Sequence, residues 1–177
     1  MITDINNKDK SFLMMLYCCG VITEYGLELM NISNYKLKSY EDRGLIEKVY
    51  ENRTAGYKLT AKAKKLIYKR YGLKRSYTYR SIRYCSKLQE IYLNINFKKY
   101  EWKTENEAKD LLEIKPIQND LNNRNGNVSA VDAIIVDRET GTMFGIEIVS
   151  SSYREIDLYR KEQFLKLLKI EAIFIEC

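Results

Sequence analysis

Glu147 opens the reading because of where it sits. It lies in the stretch 145–161, GIEIVSSSYREIDLYRK, which begins with the alternation of a strand and ends as a helix carrying Asp157 and Lys161 one turn apart. A carboxylate on a buried-looking strand is costly unless something uses it or pairs it. Glu147 is therefore part of a catalytic site, the remnant of one, or a satisfied core charge. Asp132 stands on the preceding strand of the same hairpin. At about 100° per residue, Lys161 falls between Leu165 and Leu168, inside the apolar arc of its helix, with Asp157 in the same arc. Lys161 can thus face Glu147 or close an internal i,i+4 pair with Asp157.

Other chemistries are excluded by composition. The chain has no histidine and no CxxC, which removes the usual zinc sites, a Ser-His triad and a histidine general base. The four cysteines, Cys18, Cys19, Cys85 and Cys177, are expected to be reduced thiols in the cytosol, since MITDINNKDK has no apolar core of a signal peptide. The longest apolar run, Phe12–Cys19, is far short of a membrane span, so no membrane partner is expected. The 177 residues suffice for one domain or two small ones.

Charge distribution points to a second kind of chemistry. Residues 1–100 hold 20 Lys and Arg against 9 Asp and Glu, a surplus of +11; residues 101–177 hold 10 against 15, or −5. From Asn52 to Gln89 there is no acid at all, while twelve Lys and Arg occur with six tyrosines between them. Such a single-sign block is either a surface for a polyanion or a solvated face.

The elements around that block have a recognisable order. Residues 9–20 read as a helix ended by Gly20, Thr23 caps a short helix through Met30, and Ser33 caps a third, Asn34–Arg43, closed by Gly44. Two alternating strands flank NRTAG, read as a hairpin tip with Gly at its end, and Thr60 caps a fourth helix, Ala61–Tyr71. This order, with Leu37, Gly44–Ile46 and Tyr57–Thr60, resembles the winged helix-turn-helix family over residues 8–71. The resemblance implies duplex DNA as partner. A helix fits the major groove, and Asn34, Tyr35, Lys36, Lys38, Ser39 and Arg43 are the outward residues of the third helix. Arg53 and Thr54 of the wing can reach backbone or minor groove, and Lys58, Lys62 and Lys65 can hold phosphates. Glu41 and Asp42 at the end of that helix would repel phosphate unless turned away or paired.

The stretch 77–95 has helical spacing (Ile82, Cys85, Leu88, Ile91, Tyr92) and is read as a connector that joins two domains, pairs with its copy in a homodimer, or packs into a core. Beyond it come a strand at Phe97–Lys103, a helix Glu105–Leu112 capped by Thr104, a polar loop QNDLNNRNGN, strands Ser129–Val136 and Met143–Ser150 around the turn DRETGT, a helix Arg154–Leu168 and a last strand Ile170–Glu176. A hairpin, a crossover helix and a final strand imply a mixed α/β sheet. The arrangement resembles the PD-(D/E)XK nuclease fold, with Asp132 and Glu147 at the positions of its two acids. That resemblance implies that Asp132 and Glu147 hold Mg²⁺, which binds the scissile phosphate and lowers the pKa of an attacking water, with a lysine on the developing charge. Val149 stands where the family lysine belongs and Val131 replaces its proline. Lys161, from the following helix, is the replacement lysine and the third catalytic candidate.

Together the halves resemble the replication-relaxation family of mobile-element proteins, above all in IEIVSSSYREIDLYRKEQFLKLL. The expected architecture is α+β: a winged helix domain (1–75), a connector helix (76–96) and a small mixed-sheet, nuclease-like α/β domain (97–177). The expected function is that of a cytoplasmic DNA-binding regulator or accessory factor in replication, mobilisation or transcription. Its nuclease-like domain would then serve dimerisation or a protein partner, with no cofactor. The alternatives are a Mg²⁺-dependent nuclease or nicking enzyme using Asp132, Glu147 and Lys161, and a phage-type protein inhibitor.

Overall fold

The computed structural model describes residues 7–73, 75–113 and 128–177, apart from the side chains of Asn7 and Lys8. Lys74 of the basic run and the expected loop 118–127 lie outside the described residues. The fold is α+β, with seven helices and two sheets among the described residues, and the chain divides into two compact units, Met1–Ile95 and Asn96–Cys177.

The first unit runs α1 (Asn7–Cys19), β1 (Ile22–Thr23), α2 (Glu24–Leu29), α3 (Asn34–Asp42), β2 (Ile46–Glu51), β3 (Thr54–Leu59), α4 (Ala61–Tyr71) and α5 (Ile82–Leu93). The three strands form one antiparallel sheet in the order β1-β3-β2. Its core is built on α1, where Phe12, Leu13, Met15, Leu16 and Cys19 are all 0–1% exposed. The cap side chains of Ser33 and Thr60 accept the N–H of Lys36 and Ala63, satisfying donors that a helix start leaves unpaired. Thr23 makes no side-chain cap bond; its N–H donates to the Gln89 side chain instead, at 2.9 Å.

Two expectations change here. The hairpin turn is Asn52–Arg53, two residues closed by the Glu51–Thr54 pair, rather than the longer NRTAG. Both have positive φ (46° and 68°), as a two-residue turn with this strand twist requires. Gly56 lies inside β3, where a Cβ would stand 2.8 Å from Val21 Cγ2. The second change concerns the connector. Helix α5 starts at Ile82, not Tyr77, because Ser81 caps it and the Ile82 N–H donates to the Glu51 carboxylate. Tyr77 is taken by the core: it is buried, and its N–H donates to the Tyr17 carbonyl at 2.8 Å. The helix packs on α1 within the first unit. Among the described residues the four cysteines form no disulfide, and three are buried.

The second unit contains β4 (Tyr100–Thr104), α6 (Glu105–Leu111), β5 (Ala133–Asp137), β6 (Met143–Val149), α7 (Glu155–Leu168) and β7 (Glu171–Glu176). Its sheet is mixed, in the order β4-β5-β6-β7, antiparallel except for the parallel β6–β7 pair joined through α7. The expected strand at Phe97 begins only at Tyr100, because Asn96 draws the N–H groups of Lys98, Lys99 and Tyr100 into a turn. Thr104 and Glu107 form a reciprocal capping box at the start of α6.

One face of this sheet meets α7 through Ile134, Val131, Phe164, Leu165 and Ile170. Gly145 is what lets the helix come close: a Cβ there would lie 2.4 Å from Leu165 Cδ2. Two residues along β6, on the same face, comes Glu147; one turn back along α7 from Leu165 comes Lys161. The strand advances about 6.6 Å per two residues and the helix about 5.4 Å per turn, so the two pairs stack in step. No helix among the described residues is long and apolar enough to cross a membrane.

Candidate functional site

Register brings the two acids together. Ala133 pairs with Ile146, so Asp132 stands just past the end of the β5–β6 ladder, beside Glu147. Beyond that point β6 continues along β7 but has lost β5, and its outer N–H groups need acceptors. The Asp132 carboxylate supplies one, accepting the Ile148 N–H at 2.8 Å, and Glu147 Oε2 accepts the Asp132 N–H at 3.0 Å. The carboxylates thus cross-cap the fork between the strands.

Lys161 completes the cluster. Its Nζ lies 3.0 Å from Glu147 Oε1 and donates to the Ala130 carbonyl at 2.5 Å. The Tyr153 hydroxyl donates to Glu147 Oε1 as well. Asp132, Glu147 and Lys161 are 0%, 1% and 5% exposed. Burial pushes the Glu147 carboxyl up to about 7, the Asp132 charge adds to the rise, and Lys161 and Tyr153 oppose it.

Lys161 therefore faces Glu147, and the alternative Asp157–Lys161 pair is not made. Asp157 is held instead by Arg154, whose Nε and Nη2 donate at 2.9 and 3.1 Å. The reason is the helix start: Asp157 is in the first turn of α7, where a carboxylate also accepts the Arg154 N–H.

Sequence reasoning missed Tyr153 and the Ala130 carbonyl. Nothing in the spacing marks a loop tyrosine six residues after Glu147 as its partner, and a backbone carbonyl has no signature in sequence.

The donor set does not fit Mg²⁺ as arranged. Both Glu147 oxygens and one Asp132 oxygen already accept hydrogen bonds, and an ammonium occupies the place where a cation would meet Glu147. Among the described residues no group of three or more Asp, Glu, Cys or His is placed to hold a metal. Mg²⁺ needs near-octahedral oxygen ligation, and two sealed carboxylates supply too little of it.

The first unit distributes its charge differently. On α3, Asn34, Tyr35 and Lys38 are exposed, Tyr35 to 87%, while Ser39 and Arg43 are half-buried. Lys36 turns inward to Asp9 at 2.8 Å. Asp9, which is 5% exposed, also accepts from the Tyr40 hydroxyl, and the Tyr40 ring stacks on Phe12 at 4.7 Å. That triad fastens α3 to α1. Lys58 pairs with Glu47 at 3.2 Å and lies over the Tyr79 ring, and Lys62 Nζ donates to the Arg43 carbonyl at 2.7 Å. Lys65 on α4 is exposed, as are Arg53 and Thr54 at the hairpin, and Glu41 and Asp42 are exposed at the end of α3. Some of the tyrosines between the cations are internal partners: Arg80 Nη1 donates to Tyr84 at 2.7 Å, and Arg70 stands over Tyr71. The acid-free run is thus partly structural; its exposed cations include Arg53, Lys64, Lys65, Lys69 and Arg83, and Lys38 of α3 is exposed outside it.

Comparison of the chain with protein-family models, with curated proteins and with solved structures finds no match.

Proposed function

We propose that the protein binds duplex DNA through its first unit, read as a winged helix, and that its second unit is a nuclease-like domain without nuclease activity, serving a partner or a second copy. The processes served would be those of a mobile element: replication, mobilisation or transcriptional control. The observation that carries this reading is Arg53. A two-residue turn with positive φ at both positions favours Gly at the second, yet here an arginine takes the left-handed conformation at φ 68°. Holding a non-glycine residue there costs about 1–2 kcal/mol. A cation kept at an exposed hairpin tip against that cost suits a phosphate or groove contact. The exposed Asn34, Tyr35 and Lys38 of α3 and Lys65 of α4 extend the interface. The test is fluorescence anisotropy of a labelled random-sequence duplex with increasing protein. Binding that weakens steeply with salt is expected; no binding at low salt overturns the reading.

A second reading, a metal-dependent nuclease, is favoured by one observation: Asp132, Glu147 and Lys161 do converge. Against it stands the poor fit of that cluster to Mg²⁺. Incubation with supercoiled plasmid and Mg²⁺ or Mn²⁺ separates the two. Intact plasmid is expected, and cleavage lost on Glu147→Ala would establish the enzyme.

A further inference from the structure

The first unit contains a cavity of about 800 Å³ bounded by the start of α2, the β2–β3 hairpin tip and the outer face of α5. That volume lies within the range of small-molecule sites. Its lining is uneven in a way that selects a ligand. Gln89 falls on the buried stripe of α5, four residues after Cys85, and is 0% exposed. Its Oε1 accepts the Thr23 N–H, which fixes the amide orientation, and Nε2, packed against Gly26 of α2, has no hydrogen-bond partner among the described residues. A buried donor without an acceptor is uncommon in a folded protein.

Charge on the walls is equally specific. Glu51 is occupied by the Ile82 N–H and Glu90 by Lys87 at 3.0 Å. Arg53 and Arg83, by contrast, are exposed cavity residues whose guanidinium groups make no hydrogen bond or ion pair among the described residues, and the Glu24 carboxylate is in the same condition. The uncompensated charge is one positive in excess. Tyr25 adds an aromatic ring that is 53% exposed.

Two guanidiniums suit a phosphate, an exposed ring suits a planar base, and a carboxylate suits the polar edge of a base or a ribose. We propose that this cavity binds a nucleoside monophosphate. Arg53 and Arg83 hold its phosphate, Tyr25 stacks on its base, and Glu24 meets its hydrogen-bonding edge.

The full chain is titrated by calorimetry with AMP, GMP, CMP and UMP, and separately with inorganic phosphate and with adenosine. At least one nucleotide is expected to bind saturably with Kd below about 1 mM, more tightly than phosphate or nucleoside alone. Arg83→Ala and Tyr25→Ala, both at exposed positions, are expected to weaken it about tenfold or more, a change of about 1.4 kcal/mol, with melting temperatures unchanged. The proposal is overturned if no nucleotide binds below that concentration, if phosphate alone binds as tightly, or if both variants bind as the parent does. The titrations contain no DNA, so their outcome is independent of the duplex-binding reading.

Discussion

The two units hold charged groups in opposite ways. In the second, Asp132, Glu147 and Lys161 are withdrawn from solvent and satisfy one another, a tyrosine, two backbone N–H groups and a carbonyl. In the first, Lys38, Arg53 and Lys65 project from the surface, and the one buried acid among the described residues, Asp9, serves to fasten α3 to α1. Charges that are already desolvated and paired are costly to separate and have little left to give a substrate. Exposed, uncompensated cations add little to stability and are available to a polyanion. By this contrast the cluster that looks catalytic in sequence has the geometry of a self-satisfied buried pair, and the exposed cationic surface is the one we propose to meet DNA.

The contrast is broken most forcefully at Lys161. Lys161→Ala leaves a buried carboxylate pair without its cation and is expected to cost about 3–5 kcal/mol, read by chemical denaturation. The double change Glu147→Gln with Lys161→Met is expected to cost less than Lys161→Ala alone, since no unpaired charge remains. A site kept for catalysis rather than stability would tolerate the single change.

A somewhat smaller effect depends on pH. The Glu147 carboxyl is raised from 4.5 to about 7 by burial and by Asp132, so the native state binds more protons than the unfolded chain between those values. Its contribution to stability is therefore complete below about pH 4.5 and is lost as pH rises through about 7, by up to about 3 kcal/mol. Acids with lowered pKa, such as Asp137 and Asp157, contribute in the opposite direction. The group's own share is the difference between the stability–pH curves of the parent and Glu147→Gln, which is expected to lose the decline.

The smallest effect on stability is expected at the hairpin. Arg53→Gly relieves the left-handed conformation and is expected to stabilise the first unit by up to about 1 kcal/mol while weakening duplex binding. A variant that gains stability and keeps full affinity would remove the functional reading of Arg53.

Much of this was legible in sequence because it rests on local rules. Ser33, Thr60 and Thr104 announce helix starts through their side-chain oxygens, and the alternation in 145–149 announces β6. Helical angle put Lys161 in the apolar arc of its helix but left Glu147 and Asp157 both open as its partner; the 3.0 Å pair with Glu147 is seen only in the structure. What escaped was decided by tertiary partners. The start of α5 depends on Glu51 and on the burial of Tyr77, and the partner of Asp157 depends on Arg154 folding back over the first turn of α7. The inward turn of Lys36 needs Asp9, which is 27 residues away and has no pattern that marks it. Gln89 did leave a trace, a polar residue on an apolar helical stripe, but only its bond from the Thr23 N–H gives that trace a meaning.

The most direct measurement is the salt dependence of duplex binding by the full chain, followed by anisotropy for the parent and for Lys38→Ala with Arg53→Gly. The parent is expected to lose affinity linearly in log–log form as salt rises, and the double variant to bind more weakly with a slope reduced by about two. An identical slope and affinity in the variant, or binding indifferent to salt, would contradict the assignment of DNA to this surface.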